Sequence, residues 1–208
     1  MRNNYTAIID YGVGNLFSLR SSLESLGETV VVTSNLEEIY SASRVILPGV
    51  GAFRDAIAKL KQNGLDKTLC EYASSGKPVL GICLGMQMLF DNSLEYGNYK
   101  GLGLIPGSVV PLKGVISTNL KVPHIGWNKL VYYKEDSLYK HIDGDAYAYY
   151  VHSFYADTDK QYITAWSEYG IKVTGSVRNG NVFGTQFHPE KSGTDGLLML
   201  KAFCEEGR

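Results

Sequence analysis

Cys83 lies in residues 81–87 (GICLGMQ), between an apolar strand-like segment and an apolar helix-like one. A glycine two positions away on either side permits a nucleophile elbow, a strained strand-to-helix turn that pushes one side chain into a cleft. The N–H groups that begin the following helix would favour a thiolate. Most free cysteines are small buried apolar residues, but this context predicts a nucleophile. Cys70 and Cys204 lack it, so we interpret them as core or surface thiols.

A histidine and a carboxylate occur far downstream, in residues 186–190 (QFHPE), after a second apolar strand. A histidine at a strand end is more often structural, but a cysteine nucleophile requires a base, and His188 could supply it. In an extended segment residues i and i+2 point the same way. Glu190 is therefore expected to hold the His188 ring in one tautomer while the other ring nitrogen faces sulfur. The three residues predict an enzyme with a triad in the chain order Cys83, His188, Glu190.

A glycine-rich turn at residues 47–52 (LPGVGA) lies where the third predicted strand ends and a helix begins. Such turns expose backbone N–H groups to an anion. Because no Gly-Lys-Ser/Thr follows, a phosphate loop is the weaker interpretation, and an oxyanion hole is the better one.

Residues 10–17 (DYGVGNLF) imitate a dinucleotide-binding fingerprint. Phe17 stands where close helix packing needs glycine or alanine, and no acidic ribose clamp follows the next strand. We interpret this segment as a strand-to-helix turn without a nucleotide site.

The elements that must position these residues alternate in the first half of the chain. The pattern predicts strands at 6–10, 29–33, 44–47 and 78–82, and helices at 15–26, 53–60, 65–73 and 86–90, with Gly27 as a helix stop. Such alternation indicates a parallel sheet covered by helices on both faces.

From Gly101 the chain becomes β-rich, with a hairpin turn at 178–181 and a last helix at 196–205. The predicted strands are 104–111, 120–122, 129–133, 146–151, 162–167, 173–177 and 182–187. Since no linker or repeat interrupts the chain, we predict one α/β domain over residues 1–208. Its central sheet is expected to be mixed, mainly parallel and flanked by helices.

Composition limits the classes of function. With 44% hydrophobic and 20% charged residues among 208, the chain can bury a substantial core. A formal net charge of −1 without a basic cluster argues against nucleic acid and anionic membranes. No apolar run approaches the roughly 20 residues of a membrane span. Three widely spaced cysteines fit neither a disulfide framework nor a zinc site, so we expect a reducing cytoplasm, no metal and no cofactor.

Together, residues 81–87 (GxCxGxQ) and 188–190 (HPE) resemble the two signatures of the class I, triad-type glutamine amidotransferases, and the resemblance covers essentially the whole chain. Further segments resemble the glutaminase subunits of imidazole glycerol phosphate synthases: 10–15 (DYGxGN), 48–51 (PGVG), 123–128 (PHIGWN), 150–154 (YVHSF) and 187–192 (FHPEKS). Phe154 stands where tyrosine is often found, a departure that concerns at most one polar contact.

The resemblance implies that the Cys83 thiolate attacks the side-chain amide of glutamine and that His188 protonates the departing ammonia. Water activated by His188 then hydrolyses the thioester to glutamate. The implied oxyanion hole is formed by N–H groups of Gly49, Val50, Gly51 and Leu84. The positions that match glutamine-binding residues of the family are Gly51, Gln87, Glu95, His152, Ser153 and Phe154. Glu95 suits the substrate ammonium group, and a solvated loop acid is the alternative.

A partner is expected because the ammonia-producing domain uses the whole length and leaves no acceptor-binding domain. Free ammonia in water is mostly non-nucleophilic ammonium, so it should travel by a sheltered path. The resemblance implies a heterodimer with a (β/α)₈-barrel cyclase subunit, which makes imidazole glycerol phosphate and aminoimidazole carboxamide ribotide in histidine biosynthesis. Candidates for the interface or gate are Asn15, Trp127, Tyr149 and Lys191. For Trp127 and Tyr149 a core position is the alternative.

Two other hypotheses remain at this stage. The first is a sister amidotransferase, such as the glutaminase of pyridoxal phosphate synthase or of anthranilate synthase, which residues 123–128 disfavour. The second is a non-catalytic binding or regulatory module that retains the fold. The intact triad disfavours it, because a degenerate scaffold would be free to lose Cys83, His188 or Glu190.

Overall fold

A computed structural model describes residues 4–207 of the chain. Strands and helices alternate over its first half. The order is β1 (Thr6–Ile9), α1 (Leu16–Ser25), β2 (Val30–Thr33), α2 (Leu36–Ser41), β3 (Arg44–Leu47), α3 (Phe53–Gln62), α4 (Leu65–Ser74), β4 (Val79–Ile82) and α5 (Leu84–Met88).

The second half is β-rich. It contains β5 (Phe90–Ser93), β6 (Tyr99–Lys100), β7 (Ile105–Pro111), β8 (His124–Lys129), β9 (Val131–Tyr132), β10 (Tyr147–His152), β11 (Phe154–Asp157), β12 (Ile163–Glu168), β13 (Lys172–Asn179), β14 (Val182–Thr185) and α6 (Gly193–Cys204). Single 3₁₀ turns occur at Ser137–Tyr139, Lys160–Tyr162 and Pro189–Lys191.

An eight-stranded mixed sheet forms the centre of the molecule, in the order β2-β1-β3-β4-β14-β13-β12-β9. The first five strands of that order run parallel, and the pairs from β14 to β9 are antiparallel. The predicted fold class, an α/β domain with a mixed, mainly parallel sheet, is confirmed. Two smaller sheets pair β8 with β10 and join β11-β7-β5-β6.

Alternate residues of the parallel strands pack on opposite faces of this sheet. Ala7 and Ile9 of β1 belong to one apolar cluster, together with side chains of α3 and α4. Ile8 belongs to the other, together with side chains of α1 and α6. Burial on both faces explains why these strands read as continuous apolar runs.

The first two helices begin at asparagine caps. The Asn15 side chain accepts from the Ser18 N–H, and the Asn35 side chain accepts from the N–H groups of Glu37 and Glu38. Gly27 ends α1 with a φ of +80°, as predicted. Helix α2 was not predicted, because it spans only 6 residues and is mostly polar. The Asn35 cap is the signal that could have revealed it.

Several element predictions were wrong. Residues 120–122 form an irregular bend rather than a strand. The helix predicted at 86–90 is α5, which ends at Met88 so that Phe90 begins β5. Strands β5, β6, β8 and β11 were missed, because short half-exposed strands give weak alternation. No helix within residues 4–207 is both long and apolar enough to cross a membrane.

Candidate active site

Three parallel strands end at one edge of the central sheet and bring the predicted chemical groups together. In the β3–β4 pair Leu47 lies opposite Gly81, and in the β4–β14 pair Ile82 lies opposite Thr185. The residues that follow these ends are the PGVG loop (residues 48–51), Cys83 and the segment of His188. Ligands of α/β sheets bind at this carboxyl edge, so the topology itself creates a candidate site.

Cys83 has the strained backbone of the predicted elbow. Its φ is +55° and its ψ is −110°, and it directly precedes α5. A Cβ on Gly81 would lie 2.7 Å from the Gly85 carbonyl oxygen, and a Cβ on Gly85 would lie 1.8 Å from the Leu47 carbonyl oxygen. The flanking glycines are thus required by close backbone packing. The Cys83 side chain is 6% exposed in relative area, with its sulfur 3.9 Å from the Val151 carbonyl oxygen.

His188 and Glu190 are in direct contact. His188 Nδ1 lies 2.8 Å from Glu190 Oε1, and both side chains are almost fully buried. The extended-strand argument for this contact was wrong: Pro189–Lys191 is a 3₁₀ turn, and only His188 at its start has extended dihedrals. Because Nδ1–H donates to the carboxylate, Nε2 is left for the cleft. Nε2 has no hydrogen-bond partner within the described part of the chain.

Electrostatics favour a proton on His188. Burial lowers its pKa, but interactions with the Cys83 side chain and with Glu190 outweigh burial and raise the pKa to about 9. His188 is therefore protonated at neutral pH, beside the sulfur. This is the charge state that supports a cysteine nucleophile and later donates a proton to a leaving group.

The PGVG loop presents unused backbone donors. Among residues 4–207, none accepts a hydrogen bond from the N–H groups of Gly49, Val50 or Gly51. Leu84 begins α5, where the first N–H groups of a helix lack intrahelical partners. These four residues are the ones predicted for the oxyanion hole, and three of them line the cleft.

A cleft of about 300 Å³ opens beside the sulfur. It is lined by Val50, Gly51, Cys83, Leu84, Gln87, Glu95, Pro123, Val151, His152, Ser153, Phe154 and His188. All six residues predicted to bind glutamine are in this set. Pro123 and Val151 also line the cleft and were not among the predicted site residues. A larger cavity, of about 590 Å³, lies beside β9 and contains none of the predicted residues.

Glu95 lines the cleft and also holds a helix. Its Oε2 accepts the N–H of Phe53 at 2.7 Å, at the start of α3. The side chain is half-buried in a loop. The structure leaves room for both a capping role and a substrate-binding role.

Gln87 shapes the wall of the cleft. Its Nε2 donates to the Phe154 carbonyl oxygen at 3.0 Å and to Gln186 Oε1 at 3.1 Å. Gln186 Nε2 in turn lies 3.9 Å from the Cys83 sulfur. Gln186 was not predicted, and only its position two residues before His188 could have suggested it.

His152 is connected to a second buried histidine. Its Nδ1 lies 2.8 Å from the Phe154 carbonyl oxygen, and its Nε2 lies 3.0 Å from His124 Nδ1. Burial lowers the pKa of His152 to about 3, so this ring is neutral. His124 Nε2 continues the chain to Asn128 Oδ1 at 2.8 Å. His124 stacks between Tyr150 and Tyr169, a position that no local sequence pattern indicates.

The four interface candidates lie outside the cleft lining. Trp127 is 55% exposed, so a core position is wrong for it, and its ring lies 6.1 Å from that of half-buried Tyr149. Lys191 is exposed, and Asn15 caps α1. Ile125 is also exposed on the same strand as Trp127, and it extends this apolar surface. No group of three or more His, Cys, Asp or Glu side chains that could hold a metal ion occurs within residues 4–207.

Comparison with known proteins agrees with this geometry. A sequence model of the family described as glutamine amidotransferase class-I matches residues 7–206. The imidazole glycerol phosphate synthase subunit HisH of Listeria monocytogenes serotype 4a is 50% identical, over 95% of this chain and 94% of that one. The protein of the same name from Carboxydothermus hydrogenoformans is 49% identical, over 96% and 98%. The structure of PurLQS from Thermotoga maritima has the same fold, with a TM-score of 0.72 and 19% identity over 98% of both chains.

Proposed function

The chain belongs to the class I glutamine amidotransferase family, and from that premise we propose that it is the glutaminase subunit of an imidazole glycerol phosphate synthase. The observation that carries the proposal is the meeting of Cys83, His188 and Glu190 at one sheet edge, in a chain about half identical to HisH subunits. We further propose that residues 1–208 form one glutamine amidotransferase domain, which the match over residues 7–206 supports.

The reaction begins with attack of the Cys83 sulfur on the side-chain amide carbon of glutamine. His188, protonated at neutral pH, gives its proton to the departing nitrogen, so that ammonia leaves and a thioester remains. Water then attacks the thioester carbon and passes its proton to His188. The carbon–sulfur bond breaks, which regenerates the Cys83 thiolate and frees glutamate, whose new carboxyl group gives its proton to solvent. Glu190 keeps the imidazole aligned in both half-reactions.

Charge develops on the amide oxygen in each half-reaction. The unused N–H groups of Gly49, Val50 and Gly51, with that of Leu84, stabilise this oxyanion. Without its partner the chain has low turnover, because the peptide near Val50 must rotate to complete this hole. A structure of the free chain with the Val50 N–H already directed at the substrate carbonyl would contradict this part of the proposal.

Glutamine occupies the cleft lined by the six predicted substrate residues. The carboxylate of Glu95 attracts the substrate ammonium group, and neutral His152 adds no charge to compete with it. Gly51, Gln87, Ser153 and Phe154 contribute backbone and amide groups around the substrate.

The partner in this proposal is a (β/α)₈-barrel cyclase subunit, with which the chain forms a heterodimer. The name of the relatives identifies them as subunits of a synthase, which supports a complex. Exposed Trp127, half-buried Tyr149, Lys191 and Asn15 contribute to the interface or to the gate through which ammonia passes. The cyclase then makes imidazole glycerol phosphate and aminoimidazole carboxamide ribotide.

The test combines the chain with the cyclase subunit of the same organism and measures glutamate release from glutamine. We expect release that Cys83→Ala abolishes and that Cys70→Ser, which changes a free thiol elsewhere, leaves intact. Undiminished release in Cys83→Ala contradicts the proposal. Copurification with a different synthase would favour a sister amidotransferase. A Cys83 no more reactive toward thiol reagents than Cys70, even with the partner bound, would favour a binding module.

A further inference from the structure

Tyr11 contacts the PGVG loop from behind, outside the substrate cleft. We propose that Tyr11 is a positioning residue for the oxyanion hole, because its hydroxyl fixes the peptide plane that leads into Gly49. The inference rests on the glutaminase function proposed above and assigns that function a residue that touches neither substrate nor reacting atoms.

The contact is a single buried hydrogen bond. The Tyr11 hydroxyl donates to the Pro48 carbonyl oxygen at 2.8 Å, and the tyrosine is only 3% exposed. Burial, with a smaller contribution from Cys83, raises the pKa of Tyr11, so the hydroxyl retains its proton and acts as the donor. An accepting carbonyl buried at this depth is costly to leave without a partner.

This hydrogen bond determines the direction of a backbone donor. In a planar trans peptide the N–H points opposite to the C=O. Holding the Pro48 carbonyl oxygen toward Tyr11 therefore turns the Gly49 N–H away from it. Gly49 itself is tightly enclosed, since a Cβ there would lie 2.8 Å from the Gly85 nitrogen and 2.9 Å from the Tyr11 hydroxyl.

The second half of the loop has no such support. Val50 is 42% exposed, and a Cβ added at Gly51 would meet nothing within 4 Å. The loop thus consists of a fixed entry peptide followed by a loosely packed pair of residues. If a peptide of this loop rotates to complete the oxyanion hole, the Pro48–Gly49 peptide stays fixed by Tyr11 while the residues after it move.

Sheet topology explains how Tyr11 reaches this position. Strands β1 and β3 are parallel neighbours with Ile8 opposite Ile46, so the segments that follow them leave the sheet side by side. Tyr11 follows the first strand and Pro48 the second. The tyrosine belongs to the same buried cluster as Leu84, which begins the helix after Cys83.

The test compares Tyr11→Phe with Tyr72→Phe in the full chain, assayed together with the cyclase. Tyr72 is a matched control: it is 1% exposed, and its hydroxyl donates to the Ala42 carbonyl oxygen at 2.9 Å, away from the cleft. Each variant loses one buried hydrogen bond to a backbone carbonyl. Both variants should therefore show a similar fall in Tm, and only one should show a catalytic defect.

We expect kcat of Tyr11→Phe to fall about 10-fold, less than the ~100- to 1,000-fold loss when an oxyanion donor is removed. KM should stay within about 2-fold, because the lost effect acts on the transition state. Alkylation of Cys83 by iodoacetamide should be unchanged in rate, since displacement of iodide by the thiolate forms no oxyanion. Tyr72→Phe should retain its kcat.

Two results would overturn the inference: a kcat of Tyr11→Phe within about 2-fold of wild type, or equal losses in kcat and alkylation rate. If the wild-type chain releases glutamate and Tyr11→Phe has an unchanged kcat, the role of Tyr11 is refuted and the glutaminase proposal is not affected. If the wild-type chain releases no glutamate in the presence of its cyclase, both the glutaminase function and the role of Tyr11 are refuted.

Discussion

The N–H of Cys83 donates to the carbonyl oxygen of Thr185 at 2.7 Å. This bond continues the β4–β14 ladder by one residue and joins the strand of the nucleophile to the strand that leads to His188. Two segments far apart in sequence are thereby held at a fixed distance by a parallel sheet pair. The position of the base relative to the sulfur follows from the sheet rather than from a flexible loop.

We predict that Glu190→Gln lowers kcat for glutamine hydrolysis by roughly 100-fold, within the range for loss of general acid–base assistance. Removing the charge of Glu190 lowers the pKa of His188, so the fraction of protonated His188 at neutral pH falls. A pH–rate profile should show the limb assigned to His188 shifted to lower pH. Glu205→Gln is the control, because Glu205 holds His141 at the same 2.8 Å away from the cleft. Equal effects of the two variants would contradict the assignment.

The raised pKa of His188 makes stability depend on pH. The folded chain binds this proton more tightly than the unfolded chain, whose histidine has a pKa of about 6.5. The stabilisation is therefore complete below about pH 6.5 and is lost as the pH rises through about 9. Urea unfolding of wild type and His188→Gln from pH 6 to 10 should show a difference in free energy that shrinks toward high pH. A constant difference would contradict the raised pKa.

Gly85→Ala should strongly destabilise the chain. Its Cβ would lie 1.8 Å from the Leu47 carbonyl oxygen, and backbone on both sides must then move. We expect a loss of about 3 kcal/mol or more in the free energy of unfolding, at the upper end for overpacking. Gly64→Ala is the comparison, since Gly64 has a φ of +69° but open space, and the strain of an alanine there should cost about 1–2 kcal/mol. Similar losses in both variants would show that the close approach is not what requires glycine.

The two roles of Glu95 can be separated by substitution. Glu95→Gln keeps an oxygen that can accept the Phe53 N–H, so stability should change by less than about 0.5 kcal/mol. Loss of the charge should raise KM for glutamine about 10-fold, which corresponds to the free energy of one charge-assisted hydrogen bond. Glu95→Ala should raise KM and also lower stability. An unchanged KM in Glu95→Gln would limit Glu95 to capping α3.

Trp127→Ala should weaken binding to the cyclase subunit without weakening the fold. A tryptophan that is 55% exposed contributes little to the core, whereas large aromatic side chains dominate interface energies. We expect the dissociation constant, measured by titration calorimetry, to rise by about 30-fold or more. Tyr133→Ala, which changes a 50% exposed aromatic residue near β9, is the control. Equal binding by wild type and Trp127→Ala would exclude Trp127 from the interface.

The amino-acid sequence by itself determined the local features of this protein. These features depend only on neighbouring residues, because dihedral preferences and caps act over a few positions. They are the glycines on both sides of Cys83, the apolar runs that end at Leu47 and Ile82, and the helix stop at Gly27. From these the α/β fold and the family could be recognised. Helix α2 and the short strands of the second half escaped, since their patterns are too brief to exceed chance.

Tertiary structure decided which of these local features meet. Only the strand order places the end of β14 beside the end of β4, and only the folded chain places Tyr11 against Pro48 and His124 against His152. It also placed the Glu95 carboxylate against the start of α3. Such pairs are set by sheet register and burial across long sequence separations, where local propensity carries no information.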